Sequence, residues 1–231
     1  FTIPAGGTQV ITITADVSGL TADEWQFGNI EFVTDDLHAG GSSTPLLTEG
    51  FEDGAIPDTW TVYTETDQTP WLIDDGSDAT ISDTVTPYAG SYMAWHNDDD
   101  ITTAASTWLV SPTITIPTTG STSLRFWEDN YFMSYAATEG HTLQVSIGSC
   151  DPSDAEFILL EDYTVSSSLS AWTERTVDLS SYAGEDVCLA WRYYGDYASE
   201  WFIDEISVSN SESGSPISDV ALPMAVLPTT G

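Results

Sequence analysis

The segment VCLAWRY at residues 187–193 decides the fold class. Its odd-numbered positions are apolar or aromatic, whereas its even-numbered positions are small or polar; the odd-numbered residues are Val187, Leu189, Trp191 and Tyr193. Successive side chains of a β-strand point to opposite faces of a sheet. The alternation therefore predicts a strand that turns one face toward a core.

The same period of two recurs on both sides of this segment. It is present at residues 9–17, 143–147 and 202–208, and clusters of Gly, Asp, Ser, Thr and Pro separate the segments at short spacing. No long helical stripe accompanies them. Many short strands with turn-rich connections predict an all-β protein of the β-sandwich or jelly-roll class.

The chain is strongly acidic, which limits its partners. It has 231 residues, with 37 Asp or Glu against three basic residues and a formal net charge of −34. Nucleic acids and anionic membrane surfaces both require clustered basic side chains, so neither is expected as a partner. The 41% apolar and 12% aromatic content is that of a folded chain. No apolar run approaches the roughly 18 residues of a membrane-spanning helix, so membrane insertion is not expected either.

Cys150 and Cys188 are the two cysteines of the chain. Nothing near them supplies the further ligands of a zinc site, which favours a disulfide bond and leaves two free buried thiols as the alternative. A disulfide closing 38 residues of chain would stabilise the fold by about 4 kcal/mol in the chain-entropy account. Together with the acidic composition it predicts an extracellular, secreted or cell-surface protein.

Two small, polar stretches divide the chain, HAGGSSTP at residues 38–45 and NSESGSP at 210–216. They have linker composition and predict three segments, residues 1–43, 44–212 and 213–231. The first holds two or three strands, too few to bury a core alone. We therefore expect it to pair with another part of the chain.

Several motifs follow one another through the central segment: FEDGAIPDTW (51–60), STWLVSP (106–112), SLRFWED (123–129), WTERTVDLSSYAGEDVCLAWRYYG (172–195) and WFIDEISVS (201–209). In this order they resemble the cleaved-adhesin or choice-of-anchor J domains, relatives of the MAM jelly rolls. The resemblance implies a β-sandwich module of a secreted bacterial peptidase or surface protein. Members of that family bind or assemble rather than catalyse.

The flanking segments FTIPAGGTQVITITADVSGLTADEWQFGNIEFVT (1–34) and SDVALPMAVLPTTG (218–231) carry different motifs. They resemble the fibronectin type III-like domain that follows the catalytic domain of subtilisin-like proteases. This resemblance implies a jelly roll inserted into that domain, with a tandem arrangement as the alternative. Insertion predicts backbone pairing between residues near 219–227 and either 9–17 or 29–34.

No hydrolase motif is present in the sequence. His38 lies in a linker, His96 in an Asp-rich turn and His141 beside a glycine, and there is no G-x-S-x-G or H-E-x-x-H segment. A nucleophile needs a base within hydrogen-bond reach and a third group that orients that base. The chain is therefore predicted to be non-catalytic, while the parent chain implied by the resemblance is a serine protease.

Asp204 interrupts an apolar row, because the period of two places it on the face of Phe202, Ile206 and Val208. An uncompensated carboxylate in that position would cost several kcal/mol. Two interpretations remove this cost: a bound Ca²⁺ ion, or backbone N–H groups that donate to the carboxylate in a strand-end turn.

The resemblance also implies a calcium site. In the family, the Glu of the opening FE and the first Asp of the closing strand contribute to it, which correspond here to Glu52 and Asp204. The first and last strands of a jelly roll run side by side, so Glu49, Asp53 and Glu205 are expected nearby. Glu205 stands where the family has a second Asp, which leaves its role open.

Two segments rich in aromatic residues, 131–135 and 193–201, predict a binding surface. Large rigid rings beside carboxylates suit sugar stacking or peptide contacts. Both segments are expected to be connections at strand ends. The candidate patch consists of Tyr131, Phe132, Tyr135, Tyr194 and Tyr197. By the family pattern, Tyr193 and Trp201 are expected in the core instead.

The leading hypothesis is a calcium-stabilised accessory module that attaches a secreted subtilisin-like protease to a polysaccharide or protein surface. The alternatives are a structural spacer of the precursor and a surface adhesin unconnected with a protease. The final LPTTG (227–231) matches a sortase signal, but we interpret it as a closing strand that runs into a turn.

Overall fold

A computed structural model describes residues 26–32, 43–65, 70–77, 85–96, 105–131, 140–164, 169, 171–195, 200–212 and 220–226. At 26–32, 105, 131 and 220–226 only the backbone is described. The chain forms two compact units, one of Gly40–Gly214 and one of Phe1–Ala39 together with Ser215–Gly231.

The regular structure of the described residues is almost entirely β. A 3₁₀ turn at Ser180–Tyr182 precedes the twelfth strand. In chain order the strands are β1 (Gln26–Phe32), β2 (Ser43–Glu49), β3 (Thr61–Thr64), β4 (Leu72–Asp74), β5 (Met93–His96), β6 (Ala105–Val110), β7 (Ile114–Thr115), β8 (Ser121–Tyr131), β9 (Gly140–Ile147), β10 (Ile158–Asp162), β11 (Thr173–Asp178), β12 (Asp186–Gly195), β13 (Glu200–Ser211) and β14 (Val220–Val226).

The larger unit consists of two antiparallel sheets. The first has the order β10-β9-β12-β6-β3, with β7 beside β12, and the second has the order β11-β8-β13-β5-β4, with β2 beside β13. Their facing sides enclose one main core. The prediction of an all-β sandwich is confirmed.

The strand β12 lies at the centre of the first sheet, between β9 and β6. All four of its odd-numbered apolar residues from position 187 to 193 are buried in the main core, as the alternation predicts. The ring of Trp191 packs against Trp60 at 5.9 Å and against Phe126 at 5.5 Å between centroids. This central strand therefore anchors both sheets.

Each sheet carries a second, smaller apolar cluster on its outer face. On the first sheet the cluster lies beneath the segment after β9, and its buried members are Trp108, Val110, Cys188 and Ala190. On the second sheet it involves the segment before β5, and its buried members are Val85, Met93, Trp95 and Phe202. Both sheets are thus partly covered on the side that faces away from the core.

The expectation that Phe202, Asp204, Ile206 and Val208 share one face is wrong. The pairing of β13 with β8 shifts register between Asp204 and Ser207, and Glu205 has a φ of 49°. A bulge inserts extra residues on one strand and reverses the alternation after it. Ile206 and Val208 consequently join the main core, while Phe202 lies in the outer cluster.

The two stretches predicted as linkers are partly strand. β2 begins at Ser43 and β13 continues to Ser211, and these two residues are paired with each other. Polar composition does not prevent pairing when a neighbouring strand supplies the hydrogen bonds, so composition alone extended both linkers into the strand ends.

In the smaller unit, β1 and β14 form an antiparallel pair in which Gln26 lies opposite Val226 and Phe32 opposite Val220. This is a pairing that the insertion arrangement requires of residues near 219–227. Residues 9–17 lie outside the described part of the chain. The assignment of this unit to a fibronectin type III-like domain stays a prediction.

Candidate functional site

The disulfide between Cys150 and Cys188 is formed, with 5.4 Å between the two Cα atoms. Cys188 lies on the outer face of β12, so the bond attaches the segment after β9 to the centre of the first sheet. Phe157 from the same segment packs on Trp108, with 5.3 Å between ring centroids. The prediction of a disulfide is confirmed.

A cleft of about 590 Å³ lies where β2 runs beside β13. The pairing places Glu49 opposite Ile206, so the segment after β2 lies beside the bulge of β13. This confirms that the first and last strands of the sandwich are neighbours. Side chains that line the cleft include Glu49, Glu52, Asp53, Tyr88, Arg125, Trp127 and Glu205.

Asp204 is fully buried beside this cleft. Its carboxylate accepts hydrogen bonds from the backbone N–H groups of Ala89, at 3.1 Å, and Glu205, at 2.7 Å. Burial raises the pKa of Asp204 to about 6, and these hydrogen bonds oppose the shift. Backbone donors thus compensate part of the cost of burying this carboxylate.

Glu52 binds the same segment as Asp204 does, residues 89–92. Its two carboxylate oxygens accept hydrogen bonds from the backbone N–H of Ser91, at 3.1 and 3.0 Å, and one of them also accepts from Tyr92, at 3.3 Å. Gly90 has a φ of +65°, and a Cβ there would be 2.2 Å from Glu52 Oε1. Glu52 and Asp204 therefore both hold residues 89–92 against the second sheet.

The donor atoms of this cleft are those that Ca²⁺ prefers, since carboxylate oxygens are hard ligands. In the described residues, however, no three His, Cys, Asp or Glu side chains converge closely enough to hold a metal ion. Glu49 is itself engaged locally, because its Oε1 accepts a 2.6 Å hydrogen bond from the backbone N–H of Phe51. Arg125, which also lines the cleft, pairs with Glu174 at 3.1 Å.

Tyr194 is the member of the predicted aromatic patch whose side chain the structure describes, and the residue is 42% exposed. The expectation that it lies in a connection is wrong, because β12 continues to Gly195 and pairs Tyr194 with Ser106 and Gly140. Tyr131 is likewise the last residue of β8 rather than part of a loop. The remaining members lie outside the described residues: Phe132, Tyr135 and Tyr197.

Side chains that the sequence did not single out surround Tyr194. The guanidinium of Arg192 lies 4.6 Å from the centroid of the Trp108 ring and 5.5 Å from that of Tyr194. Its Nε and Nη2 donate to Ser106 Oγ at 3.1 and 3.0 Å, and Nη2 is 3.5 Å from Glu65 Oε1. The Trp108 indole N–H donates to the same Glu65 oxygen at 3.1 Å. In the sequence, Arg192 could have indicated this group, because it is one of only three basic residues and lies two positions before Tyr194 on the outward face of β12.

Two histidines are buried in strands, although His96 was expected in a turn. His96 is the last residue of β5, and its ring stacks on Tyr193 with 3.9 Å between ring centroids. His141 lies in β9, and its ring stacks on Trp201 with 4.6 Å between ring centroids. Burial lowers the pKa of His141 to about 3, against a smaller opposing effect of Asp162. Tyr193 and Trp201 are fully buried, as predicted.

The sequence model of the Cleaved Adhesin Domain family matches residues 44–208 of this chain. The chain belongs to this family. The match covers both sheets of the sandwich, from β2 to β13. Cleaved adhesin domains are non-catalytic modules.

Relatives with known names are similar to this cleaved adhesin domain over most of its length. Two proteins named Hemagglutinin A from Porphyromonas gingivalis are each 26% identical to this chain in an alignment 192 residues long. The match covers 76% of this chain but 9% and 7% of the two relatives. The chain thus spans less than a tenth of the curated relatives that it matches.

Solved structures share the fold of this domain. The K3 and K1 cleaved adhesin domains of Lys-gingipain from P. gingivalis W83 are each 19% identical to the chain, with TM-scores of 0.54 and 0.51. Each alignment covers 73% of this chain and 99% or 98% of the gingipain domain. Within the described residues, no helix is both long and apolar enough to cross a membrane.

Proposed function

We propose that this cleaved adhesin domain is a secreted, non-catalytic accessory module that attaches a subtilisin-like protease to a polysaccharide or protein surface. The family match over residues 44–208 carries the proposal, because it covers the entire sandwich with a module of the adhesin class. The disulfide supports an extracellular location, where such bonds persist. The resemblance of residues 1–34 and 218–231 to a protease-associated domain supports the protease context.

Sedimentation with insoluble surfaces tests the attachment. The purified chain would be mixed with insoluble polysaccharides and with insoluble proteins such as collagen, and the bound fraction would be measured. Saturable retention on at least one surface supports a binding module. Absence of retention on every surface would favour the structural spacer.

The protease context has its own test. The coding region upstream of Phe1 would be translated and searched for a Ser-His-Asp subtilisin-type domain. Its presence supports the accessory role, and a surface-protein context without a protease would favour the independent adhesin. This result does not depend on whether the sandwich binds a surface.

We also propose that Ca²⁺ stabilises the module at the cleft beside β13. Glu52 and Asp204 would hold the ion together with main-chain oxygen atoms, because the described residues bring no three acidic side chains together at one point. Glu49, Asp53 and Glu205 supply nearby carboxylates. The buried Asp204 supports this proposal, because a neighbouring dication would offset the cost that raises its pKa to about 6.

Exhaustive chelation followed by thermal unfolding tests the calcium proposal. We expect the melting temperature to fall after chelation and to recover when Ca²⁺, but not an equal concentration of Mg²⁺, is restored. Glu52→Gln should remove most of this response. An unchanged melting temperature after complete removal of calcium would show that the backbone hydrogen bonds to Asp204 suffice.

A further inference from the structure

The outer face of the first sheet carries an ordered group of four side chains near the end of β12. It comprises Tyr194 and Arg192 on β12, Trp108 on β6, and Glu65 directly after β3; we call it the Tyr194 patch. The register brings them together, because Trp108 lies opposite Arg192 on one side and Tyr63 on the other. The backbone N–H of Glu65 donates to the carbonyl of Ser106 at 2.9 Å, which fixes Glu65 beside the same strand.

The Tyr194 patch is held in place before any ligand arrives. Arg192 is fixed by two hydrogen bonds to Ser106, by contacts with two rings and by Glu65. Tyr194 lies directly against Gly140. Side chains that are already ordered lose little conformational freedom on binding, which favours affinity.

Hydrogen-bonding capacity remains at the surface of the patch. Within the described part of the chain, both contacts of the Glu65 carboxylate use Oε1, and those of the Arg192 guanidinium use Nε and Nη2. Glu65 Oε2 can therefore accept, and Arg192 Nη1 can donate, beside the exposed Tyr194 ring. The side chains of Glu65 and Arg192 are 42% and 29% exposed.

We propose that the Tyr194 patch binds an uncharged polysaccharide. A sugar hydroxyl both donates and accepts, so it matches a carboxylate and a guanidinium side by side, and the C–H face of a sugar ring can stack on Tyr194. A polyanionic glycan fits poorly, since Glu65 already pairs with Arg192 and the chain carries a net charge of −34. This inference deepens the proposed function and rests on it.

Affinity electrophoresis of the full chain through gels that contain neutral or polyanionic polysaccharides tests the site. We expect at least one neutral polysaccharide to retard the native chain. Tyr194→Ala should weaken this binding at least tenfold and Glu65→Gln at least threefold, while Tyr194→Phe, which keeps the ring, stays within twofold. Leu159→Ala on the edge strand of the same sheet, a residue that is 55% exposed, is the matched control and should bind as the native chain does.

The outcomes separate this site from the proposed function. Binding of a neutral polysaccharide that Tyr194→Ala leaves unchanged would overturn the site and leave the attachment function standing. Tyr194-dependent binding to protein surfaces alone, or retardation by polyanionic gels alone, would overturn the ligand class. Absence of retention of the native chain on every surface would overturn both the site and the attachment function.

Discussion

The ring of Tyr194 lies so close to Gly140 that a Cβ atom at position 140 would be 1.9 Å from the Cε1 atom of the ring. The two residues are partners across the β12–β9 pair. Only a residue without a side chain lets the ring lie against the neighbouring strand in this way. The glycine at position 140 therefore sets the orientation of the exposed ring.

Gly140→Ala tests this relationship. The added methyl group would push the flexible end of Tyr194 away from β9, and the displaced ring would no longer stand beside Arg192. We expect polysaccharide binding in affinity electrophoresis to fall about as far as in Tyr194→Ala, with little change in melting temperature. Combining both substitutions should add no further loss, since both act through the same ring. Full binding by Gly140→Ala would show that the ring's position does not matter.

Removal of the disulfide should destabilise the sandwich. We expect replacement of Cys150 and Cys188 by Ser to lower the free energy of unfolding by up to about 4 kcal/mol, because the unfolded chain regains the freedom of a loop of 38 residues. Urea unfolding of the oxidised native chain and the double variant measures this. An identical unfolding midpoint would indicate that the segment after β9 stays against the first sheet without the bond.

Glu128 depends on Arg175 for its charge balance. Its buried carboxylate accepts hydrogen bonds from Arg175 Nε, at 2.7 Å, and from the Trp201 indole N–H, at 2.9 Å. Arg175 Nη2 forms an ion pair with Glu128 Oε1 at 2.6 Å. Arg175→Met would leave this carboxylate without a cation and should cost about 3–5 kcal/mol of stability. Adding Glu128→Gln to that variant should restore part of the loss. Equal unfolding midpoints for the single and double variants would contradict this dependence.

His141 makes stability fall at acid pH. Burial lowers its pKa from 6.5 to about 3, so the folded state keeps the ring neutral while the unfolded chain takes up a proton. Its contribution is complete above pH 6.5 and is lost as the pH falls from there toward 3. The raised pKa of buried Glu128 acts in the opposite direction, so the comparison must isolate the histidine.

The pH dependence is measured as the free energy of unfolding from pH 7.5 to 4.5 for the native chain and for His141→Gln. Each pH unit below 6.5 should cost the native chain about 1.4 kcal/mol relative to the variant. Parallel profiles for the two proteins would show that His141 titrates alike in both states.

The sequence predicts the frame of the fold but not its local interruptions. The period of two at residues 187–193 predicts a core strand. Jelly-roll connectivity predicts that Glu49 lies beside the last strand. The bulge between Asp204 and Ser207 is not predicted, because a period-two pattern carries no sign of where extra residues enter a strand. Because the bulge reverses the alternation of side chains along β13, Phe202 lies in an outer cluster and not in the main core.

The candidate sites are predictable to different degrees. The acids beside the cleft and the exposed Tyr194 could be named from motifs and residue type. The partners of Tyr194 on other strands could not, because Glu65 and Trp108 lie far from it in sequence and are brought beside Arg192 and Tyr194 only through the register of three strands. The burial of His96 and His141 could not be predicted either, because the residues beside them in the sequence are typical of turns.

Attachment of the sandwich to a surface is measured as a saturation isotherm of the native chain on an insoluble neutral polysaccharide. We expect a bound fraction that saturates and that a soluble fragment of the same polysaccharide displaces. Tyr194→Ala should lower the affinity at least tenfold. A bound fraction that stays at background for the native chain on this polysaccharide, and on every other polysaccharide and protein surface tested, would contradict the attachment.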